Sequence, residues 1–415
     1  MRAPGFGYAC SMTGTPVRKI GIEEELLLFD PETRAVAPAA QRVLKEFREH
    51  GHGRRRARAA TDELDQELFR HQLETRTDPT RDAGDALDQL IAARRTAGEA
   101  ARAAGLAAGA CGIVPLPSEK SVVTPNDRYR DMVDRFGEVA RTGGTCGMHV
   151  HVDIESEEEG VAVLDRIAPW LPVLLAVSAN SPFVDGRDSG YASWRAQVWS
   201  RWPSAGPTEA FGSVEGYREV CQILLDSGAA RDTGMLYFDA RLSVALPTLE
   251  VRVCDVCTDP QLAVGIAALA RGLVETAARS WREGRPVPRW RAEALRAAQW
   301  RAARFAMSDS LVHPVERQLR PAREVLGALI ETIEPALRDA GDTDLAETML
   351  AQSVSQNGAV RQRSAWERGG GVVAVVDDLI ERTEQSWQSA PPGHDTGHDT
   401  GHDTAPDEGL GSTHG

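Results

Sequence analysis

Lysine is nearly absent from this chain, which carries its positive charge almost entirely on arginine. The lysines are Lys19, Lys45 and Lys120, and 61 acidic residues outweigh 47 basic ones to give a net charge of −14. Nucleic-acid-binding proteins need a positive footprint, so this balance argues against a nucleic-acid partner. It leaves anionic small molecules open as substrates, because metal ions and a few arginines can reverse the local potential.

Cysteine is sparse, and long apolar runs are missing. The six cysteines, at positions 10, 111, 146, 221, 254 and 257, form no disulfide framework and favour a reducing compartment. The lone Cys254-x-x-Cys257 pair has no second pair or nearby histidines for a structural zinc. Residues 1–12 lack the apolar segment of a signal peptide, and the run at 170–179 is too short to cross a bilayer. We expect a soluble cytoplasmic protein without a membrane partner.

What remains is enough for a folded core, with 42% hydrophobic and 26% charged residues. Residues 1–14 are expected to be loose, with Met12 as an alternative start, and residues 15–388 to form a single domain. The tail at 389–415 repeats Gly-His-Asp-Thr and is too polar to fold, so we expect disorder there. The basic segment at 51–56 is expected to be a solvated turn, and the aperiodic stretch 181–216 a functional loop.

Hydrophobic periodicity predicts helices over 39–50, 82–108, 161–180 and 260–285, with prolines interrupting the third, and mainly helix from 290 to 380. Strand-like runs occur over 19–30, 67–77 and 143–154, and twice within 237–255. These segments do not alternate as regular βαβ units. We therefore predict an α+β protein with an antiparallel sheet.

The first predicted strand carries three consecutive carboxylates, in Gly21-Ile22-Glu23-Glu24-Glu25. Side chains alternate between the two faces of a strand, so Glu23 and Glu25 share one face while Glu24 lies with the apolar residues on the other. Two neighbouring carboxylates repel each other and need a counter-charge when desolvated. Mg²⁺ or Mn²⁺ suits such oxygen ligands. Taken alone, the segment fits an edge strand with water-facing glutamates equally well.

Later strands repeat this arrangement. His149 and His151 alternate with apolar residues in one, and Glu250 and Arg252 in another. Each alone fits a satisfied core histidine or an ordinary amphipathic strand. Together they predict a curved sheet with a polar basin that suits several divalent ions and, through its arginine, anionic oxygens. The basin would contain Glu23, Glu25, Gln72, Glu74, His149, His151, Glu250 and Arg252.

Clustered divalent ions without a serine or cysteine nucleophile predict phosphoryl transfer, in which positioning and charge neutralisation supply most of the catalysis. The chain has no P-loop, since Glu119 and not glycine precedes Lys120-Ser121. The motif set of protein kinases is also missing. A nucleotide would therefore be held by metal ions and arginines.

The motifs, in their order along the chain, resemble those of the carboxylate–amine ligases, also called type 2 glutamate–cysteine ligases. The resemblance spans residues 18–385 and implies a glutamine-synthetase-like catalytic domain, whose curved antiparallel sheet is walled by helices. Gly112-Ile113-Val114-Pro115 and Pro247 depart from the family pattern, which leaves the amine acceptor and the carboxylate substrate open. The matching motifs are Gly21-Ile22-Glu23-Glu24-Glu25, Glu67-Leu68-Phe69 with Gln72-Leu73-Glu74, Gly147-Met148-His149-Val150-His151-Val152, Ser178-Ala179-Asn180-Ser181-Pro182-Phe183 and Thr248-Leu249-Glu250-Val251-Arg252-Val253-Cys254-Asp255.

The resemblance also implies roles for individual residues. His151 would lie near the nucleotide phosphates, and Arg252 would neutralise phosphate or a substrate carboxylate. Arg187, Arg195 and Arg241 would contact anionic groups of the substrate or ATP. The implied metal ligands are Glu23, Glu25, Glu74, His149 and Glu250.

The implied reaction joins L-glutamate to L-cysteine or another amine. ATP phosphorylates the γ-carboxylate, the amine attacks the acyl phosphate, and ADP and phosphate are released, with Mg²⁺ or Mn²⁺ bridging the phosphate oxygens. Two alternatives share these residues: a guanidino kinase of the same fold and a non-catalytic ligand-binding member. The resemblance further implies a homodimer.

Overall fold

Strands and helices are mixed along the chain without a repeating order. The computed structural model describes residues 16–49, 63–117, 122–142, 144–352, 355 and 357–388. The predicted turn at 51–56, the segment 1–14 and the tail at 389–415 lie outside the described residues. The strands are β1 (Ile20–Phe29), β2 (Asp65–Gln66), β3 (Gln72–Arg76), β4 (Ala107–Gly109), β5 (Gly147–Asp153), β6 (Phe183–Val184), β7 (Arg187–Asp188), β8 (Ala240–Leu242), β9 (Thr248–Asp255), β10 (Ser310–Val312) and β11 (Leu319–Pro321).

The helices surround these strands, and the longest described helix has 23 residues. They are α1 (Ala40–Glu49), α2 (Ala83–Ala103), α3 (Asp127–Phe136), α4 (Glu138–Arg141), α5 (Glu157–Ile167), α6 (Leu171–Ser178), α7 (Trp194–Trp199), α8 (Val214–Asp226), α9 (Pro260–Arg282), α10 (Ala292–Phe305), α11 (Ala322–Ala340), α12 (Thr343–Gln352), α13 (Gly358–Gly369) and α14 (Val372–Gln388).

One antiparallel sheet forms the centre of the fold. Its strand order is β2-β3-β1-β5-β9-β8, and β4 also pairs with β1. The first strand of the chain therefore pairs with three others, β3, β4 and β5. This arrangement of helices around an antiparallel sheet confirms the predicted α+β class.

One face of the sheet is buried under helices. Helices α2, α6 and α9 pack against β1, β5 and β9. The apolar side chains that the strands present to them are at most 1% exposed, and their burial stabilises the fold by about 25 cal/mol per Å² of apolar surface. The opposite face remains available for polar groups. The apolar residues are Ile20, Ile22, Val150, Val152, Leu249 and Val251.

The middle carboxylate of β1 lies on the buried face, as strand alternation predicts. Glu24 accepts two hydrogen bonds from Arg94 of α2, at 2.8 and 2.6 Å, and both side chains are fully buried. Arg94 also donates to the carbonyl oxygens of Thr258 and Cys257, just before α9. This ion pair joins the central strand to two of the helices that cover it.

Two predicted segments are longer than the observed ones. The helix predicted over 82–108 ends at Ala103, because Gly105 turns the chain in the left-handed region (φ 70°) and the next residues form β4. The strand predicted over 67–77 begins only at Gln72, because the chain turns before it and the Gln72 N–H donates to the Phe69 carbonyl. Both errors concern element ends.

The predicted loop at 181–216 contains regular structure. The hairpin β6–β7 and helix α7 occupy part of it. The helix predicted over 161–180 is divided into α5 and α6 by a 3-10 turn, Ala168–Trp170, in the proline-containing region. The prolines therefore interrupt the predicted helix, as expected.

By length and composition alone, two helical segments could cross a membrane, Glu157–Ser178 and Pro260–Arg282. In each, 83% of the most apolar 18-residue stretch is buried inside the protein. Packing against the sheet accounts for this apolar composition, because a core helix needs it as much as a membrane span does.

Candidate active site

The polar face of the sheet borders a cavity of about 530 Å³. Strands β1, β3, β5, β8 and β9 supply most of its acidic, imidazole and guanidinium groups, and α3, α7 and the segment before β8 supply aromatic rings. Eight of the ten predicted site residues line this cavity. They are Glu23, Glu25, Glu74, His149, His151, Arg241, Glu250 and Arg252.

Strand register brings these groups together. Glu23 pairs with His149 between β1 and β5, and His151 pairs with Glu250 between β5 and β9. Glu25 lies opposite a further glutamate, Glu74 of β3. Directly opposed residues of antiparallel strands have Cβ atoms about 4.5–5.5 Å apart. Groups that are more than a hundred residues apart in the sequence therefore meet on one surface.

Glu23 is shared by two groups of possible metal ligands. Their ligand atoms lie within 4.8 Å of one another, in the sets Glu23–His151–Glu250 and Glu23–Glu74–His149. His149 Nδ1 is 3.1 Å from Glu23 Oε2. His151 Nε2 is 3.6 Å from Glu23 Oε1 and has no hydrogen-bond partner among the described residues. A buried ring nitrogen of this kind is available to a ligand.

Three carboxylic acids in the cavity resist ionisation. Burial raises the pKa of Glu25 to about 7, although the Arg195 charge opposes this. Burial and the neighbouring Glu25 charge raise the pKa of Glu67 to about 7. Burial, with the Glu67 and Glu23 charges, raises the pKa of Glu74 well above its ordinary value. The raised pKa values show that these carboxylates have too little neighbouring positive charge to balance them when they ionise.

Other groups in the cavity have lowered pKa values. Burial opposes ionisation of Glu23, but the His149 and His151 rings outweigh it and lower the Glu23 pKa below its ordinary value. Burial also opposes ionisation of Glu250, but chiefly the Arg252 charge lowers the Glu250 pKa to about 2. Burial and the Arg252 charge lower the pKa of His149 to about 4. The His149 imidazole is therefore neutral at pH 7, as a metal ligand has to be.

Two arginines of the cavity orient Glu250. Arg252 Nη1 donates to Glu250 Oε1, and Arg241 Nε donates to Glu250 Oε2 at 2.8 Å. Arg252 Nε has no hydrogen-bond partner among the described residues, so this side chain retains a donor. Arg241 is more fully engaged, since it also donates to the carbonyl oxygens of Thr233, Gly234 and Leu236.

Two residues predicted to contact anions, Arg195 and Arg187, do not line this cavity, and their contacts with substrate or ATP remain predictions. Arg195 is buried beside β9, where it donates to the Val253 and Arg252 carbonyls at 3.3 Å. Arg187 is exposed in β7 and borders a separate cavity of about 880 Å³. The reason is that the 181–216 segment folds into a hairpin and a helix, which direct these two arginines to different surroundings.

Sequence reasoning did not assign site roles to several lining residues. Glu67 lies in the Glu67-Leu68-Phe69 motif, and its position next to the second strand was the available signal. Tyr129 of α3 and Trp199 of α7 come from segments without strand alternation, and Tyr237 precedes the short strand β8. The Trp199 and Tyr237 ring centroids are 4.6 Å apart, so the cavity has an aromatic side as well as an acidic one.

The residues present fit a hard divalent cation. Carboxylate oxygens and imidazole nitrogens make up both ligand sets, and neither contains a thiolate, which suits Mg²⁺ or Mn²⁺. The crowded acids with raised pKa values point to the same need for a cation.

The helix-walled antiparallel sheet and the carboxylate–imidazole cavity on its polar face are the arrangement that the resemblance to glutamine-synthetase-like ligases implies. Comparison of the sequence with known families identifies the glutamate-cysteine ligase family 2 (GCS2), which matches residues 19–384. The chain belongs to this family.

Relatives resemble the chain over nearly their whole length. A provisionally named glutamate–cysteine ligase 2-1 of Nocardioides sp. is 76% identical over 372 residues, which are 90% of this chain and 97% of the relative. A provisionally named glutamate–cysteine ligase 2-1 of Streptomyces avermitilis is 45% identical over 374 residues, 89% of this chain and 100% of the relative.

Two solved structures share the fold. The glutamate–cysteine ligase of Francisella tularensis, solved in complex with AMP, superposes with a TM-score of 0.61 at 13% identity and covers 89% of each chain. A bifunctional glutathione synthetase of Pasteurella multocida gives a TM-score of 0.63 at 17% identity, over 89% of this chain and 53% of that one.

Proposed function

We propose that this chain is an ATP-dependent carboxylate–amine ligase that joins L-glutamate to L-cysteine, or to another small amine, and releases ADP and phosphate. The observation that carries the proposal is the meeting of two oxygen- and nitrogen-ligand sets at Glu23 in one cavity. Membership of the GCS2 family supports the ligase class, and the names of its relatives support glutamate and cysteine as substrates.

Mg²⁺ or Mn²⁺ would be held by Glu23, Glu25, Glu74, His149 and Glu250. When bound, it would supply charge neutralisation for the phosphate oxygens and the substrate carboxylate. Arg241 and Arg252 orient Glu250 for this purpose through their hydrogen bonds to both of its oxygens. The hydrogen bond from the Gly147 N–H, 2.7 Å from Glu25 Oε2, orients Glu25 in the same way.

The reaction has two steps. An oxygen of the glutamate γ-carboxylate attacks the γ-phosphorus of ATP, and the bond to ADP breaks. The amine nitrogen then attacks the acyl carbon and loses a proton, the bond to phosphate breaks, and an amide forms. His151 Nε2 and Arg252 Nε, both without partners among the described residues, would donate hydrogen bonds to phosphoryl oxygens as their negative charge develops.

The test is a phosphate-release screen with the full chain, ATP and Mg²⁺ or Mn²⁺, over amino acids and amines, with products identified by mass. Carboxylate- and amine-dependent release of phosphate together with an amide product supports the ligase. A guanidino kinase would form a phosphorylated guanidine without free phosphate. Nucleotide binding without any turnover would indicate a non-catalytic member. The cytoplasmic location and the homodimer remain predictions.

Glu23→Gln should abolish most turnover, because it removes the ligand that both sets share. Loss of groups that merely support a metal ligand costs 10–100-fold, so we expect at least ~100-fold in kcat/KM. The unfolding free energy should change by no more than ~1 kcal/mol, since no apolar packing is lost. Glu32→Gln, at an exposed position just after β1, is the matched control and should leave both unchanged. Normal Mg²⁺-dependent turnover of Glu23→Gln would remove Glu23 from the metal site.

A further inference from the structure

Among the described residues, four arginines line the cavity, and they differ in how far their charge is already neutralised. Arg241 and Arg252 are both bound to Glu250, and their side chains are 9% and 10% exposed. Arg76 lies within 4.0 Å of three carboxylates, those of Glu63, Asp65 and Glu74. Each of these three charges is thus already balanced by at least one carboxylate, and the donor that Arg252 retains, its Nε, is the one assigned above to the phosphoryl oxygens. The fourth, Arg128, is different.

Arg128, near the start of α3, is paired with a single residue. Its Nε and Nη2 each donate to Asp232 at 3.1 Å. Its Nη1 faces Met132 Sδ at 3.5 Å, and a thioether is only a weak acceptor. The side chain is 35% exposed, and both Arg128 and Met132 line the cavity. Arg128 therefore presents an underused donor to the space where substrates would bind.

The ion pairs around Arg128 leave surplus positive charge. Asp232 is shared with Arg231, whose Nη1 lies 2.9 Å from it. Arg231 also pairs with Asp131, which Arg135 contacts at 2.9 Å. Three guanidinium groups thus face two carboxylates within this cluster. In a cavity otherwise crowded with carboxylates, such a cluster marks the place for an anion.

We infer that Arg128 binds the α-carboxylate of the amino-acid substrate at the mouth of the cavity. The inference rests on the proposed ligase function. The reacting γ-carboxylate and the phosphates belong at the ligand sets on the strands, whereas the α-carboxylate is the charged end that the carbon chain of glutamate holds away from the reaction. Guanidinium binds carboxylate through paired hydrogen bonds, and among the described residues Arg128 Nη1 faces only a thioether as acceptor.

The test compares Arg128→Gln and Arg128→Lys with Arg231→Gln. Arg231→Gln disturbs the same ion pairs but does not line the cavity, so it reports a merely structural effect. A hydrogen bond to a charged group contributes about 1.5–3 kcal/mol, which corresponds to a rise of about 10–150-fold in the KM for L-glutamate in Arg128→Gln. The KM for ATP should not change, Arg128→Lys should recover part of the loss, and Arg231→Gln should raise the KM for L-glutamate much less than Arg128→Gln, because Arg231 does not line the cavity.

A second substrate identifies the recognised group. 4-Aminobutyrate keeps the reacting carboxylate and lacks the α-carboxylate, so the parent chain should prefer L-glutamate, and Arg128→Gln should lose that preference by the same factor. A raised KM for ATP with an unchanged KM for L-glutamate would overturn the inference, as would an equal effect of Arg231→Gln.

Direct titration separates this inference from the proposed function. L-Glutamate is titrated calorimetrically into the full chain with Mg²⁺ and a non-hydrolysable ATP analogue. Binding to the parent chain that weakens in Arg128→Gln supports the α-carboxylate site even when no amine yields a product. Equal binding to both proteins, or no binding to the parent chain, overturns it.

Discussion

Gly147, at the start of β5, positions charged groups by having no side chain. Its N–H donates to Glu25 Oε2, and a Cβ atom here would lie 2.3 Å from Arg195 Nη2. Arg195 is 3% exposed and donates to two backbone carbonyls, so it has little room to move. A residue with a side chain at position 147 would therefore collide with Arg195. The glycine leaves Arg195 in place, where its charge acts on Glu25.

Gly147→Ala should displace Arg195 and disturb Glu25. We expect a loss of about 1–3 kcal/mol in unfolding free energy from overpacking, with a reduced kcat at saturating substrates. Gly327→Ala is the control, because a Cβ atom there meets nothing within 4 Å and an alanine in a helix is more stable by about 1 kcal/mol. Urea unfolding and steady-state kinetics measure both effects. A fully active and stable Gly147→Ala protein would contradict this account of the glycine.

Strand β1 has two functions, one on each face. Glu23 and Glu25 point to the cavity, while Glu24 pairs with Arg94 under the helices. Alternation along the strand predicts the placement of all three residues, but the identity of the Glu24 partner depends on packing. Arg94 lies 70 residues further along the chain, and no local pattern connects the two.

Glu24→Gln should destabilise the protein by about 3–5 kcal/mol, because it leaves the buried Arg94 charge without its partner. Replacing both residues, in Glu24→Leu with Arg94→Met, should recover part of this loss, since a buried pair can often be exchanged for apolar groups at little cost. The measurement is urea unfolding of both variants and the parent chain. A loss below 1 kcal/mol in Glu24→Gln would show that Arg94 is sufficiently stabilised by carbonyl oxygens alone.

Over the whole molecule, buried acids make stability depend on pH. Burial raises the pKa values of Glu25, Glu67 and Asp239 to about 7. The folded state then binds more protons than the unfolded state above the ordinary carboxylate pKa, so stability falls as pH rises through 7. His71 and His149, with pKa values lowered to about 4, act in the opposite direction but only below their ordinary value of 6.5.

The metal-free protein should therefore be less stable at pH 8 than at pH 6.5. Mg²⁺ should reverse this, because it binds the ionised acids and contributes about 2.7 kcal/mol at 100 times its Kd. Unfolding is followed at both pH values with and without Mg²⁺. Glu23→Gln serves as the control, because it lacks the carboxylate that belongs to both sets of metal ligands. Stabilisation by Mg²⁺ that is no larger at pH 8 than at pH 6.5 would exclude these acids as its ligands.

The sequence by itself determined what each strand carries. Alternation is a local property of the extended backbone, so Glu23, His149 and Glu250 could be assigned to polar faces, and the motifs could be recognised, without coordinates. Register, strand order and helix packing were decided only by the tertiary structure, because they depend on contacts between distant segments. For that reason Arg187, which was expected to contact substrate or ATP, lines a different cavity, while Glu67 and Arg128 line this one without having been assigned to it.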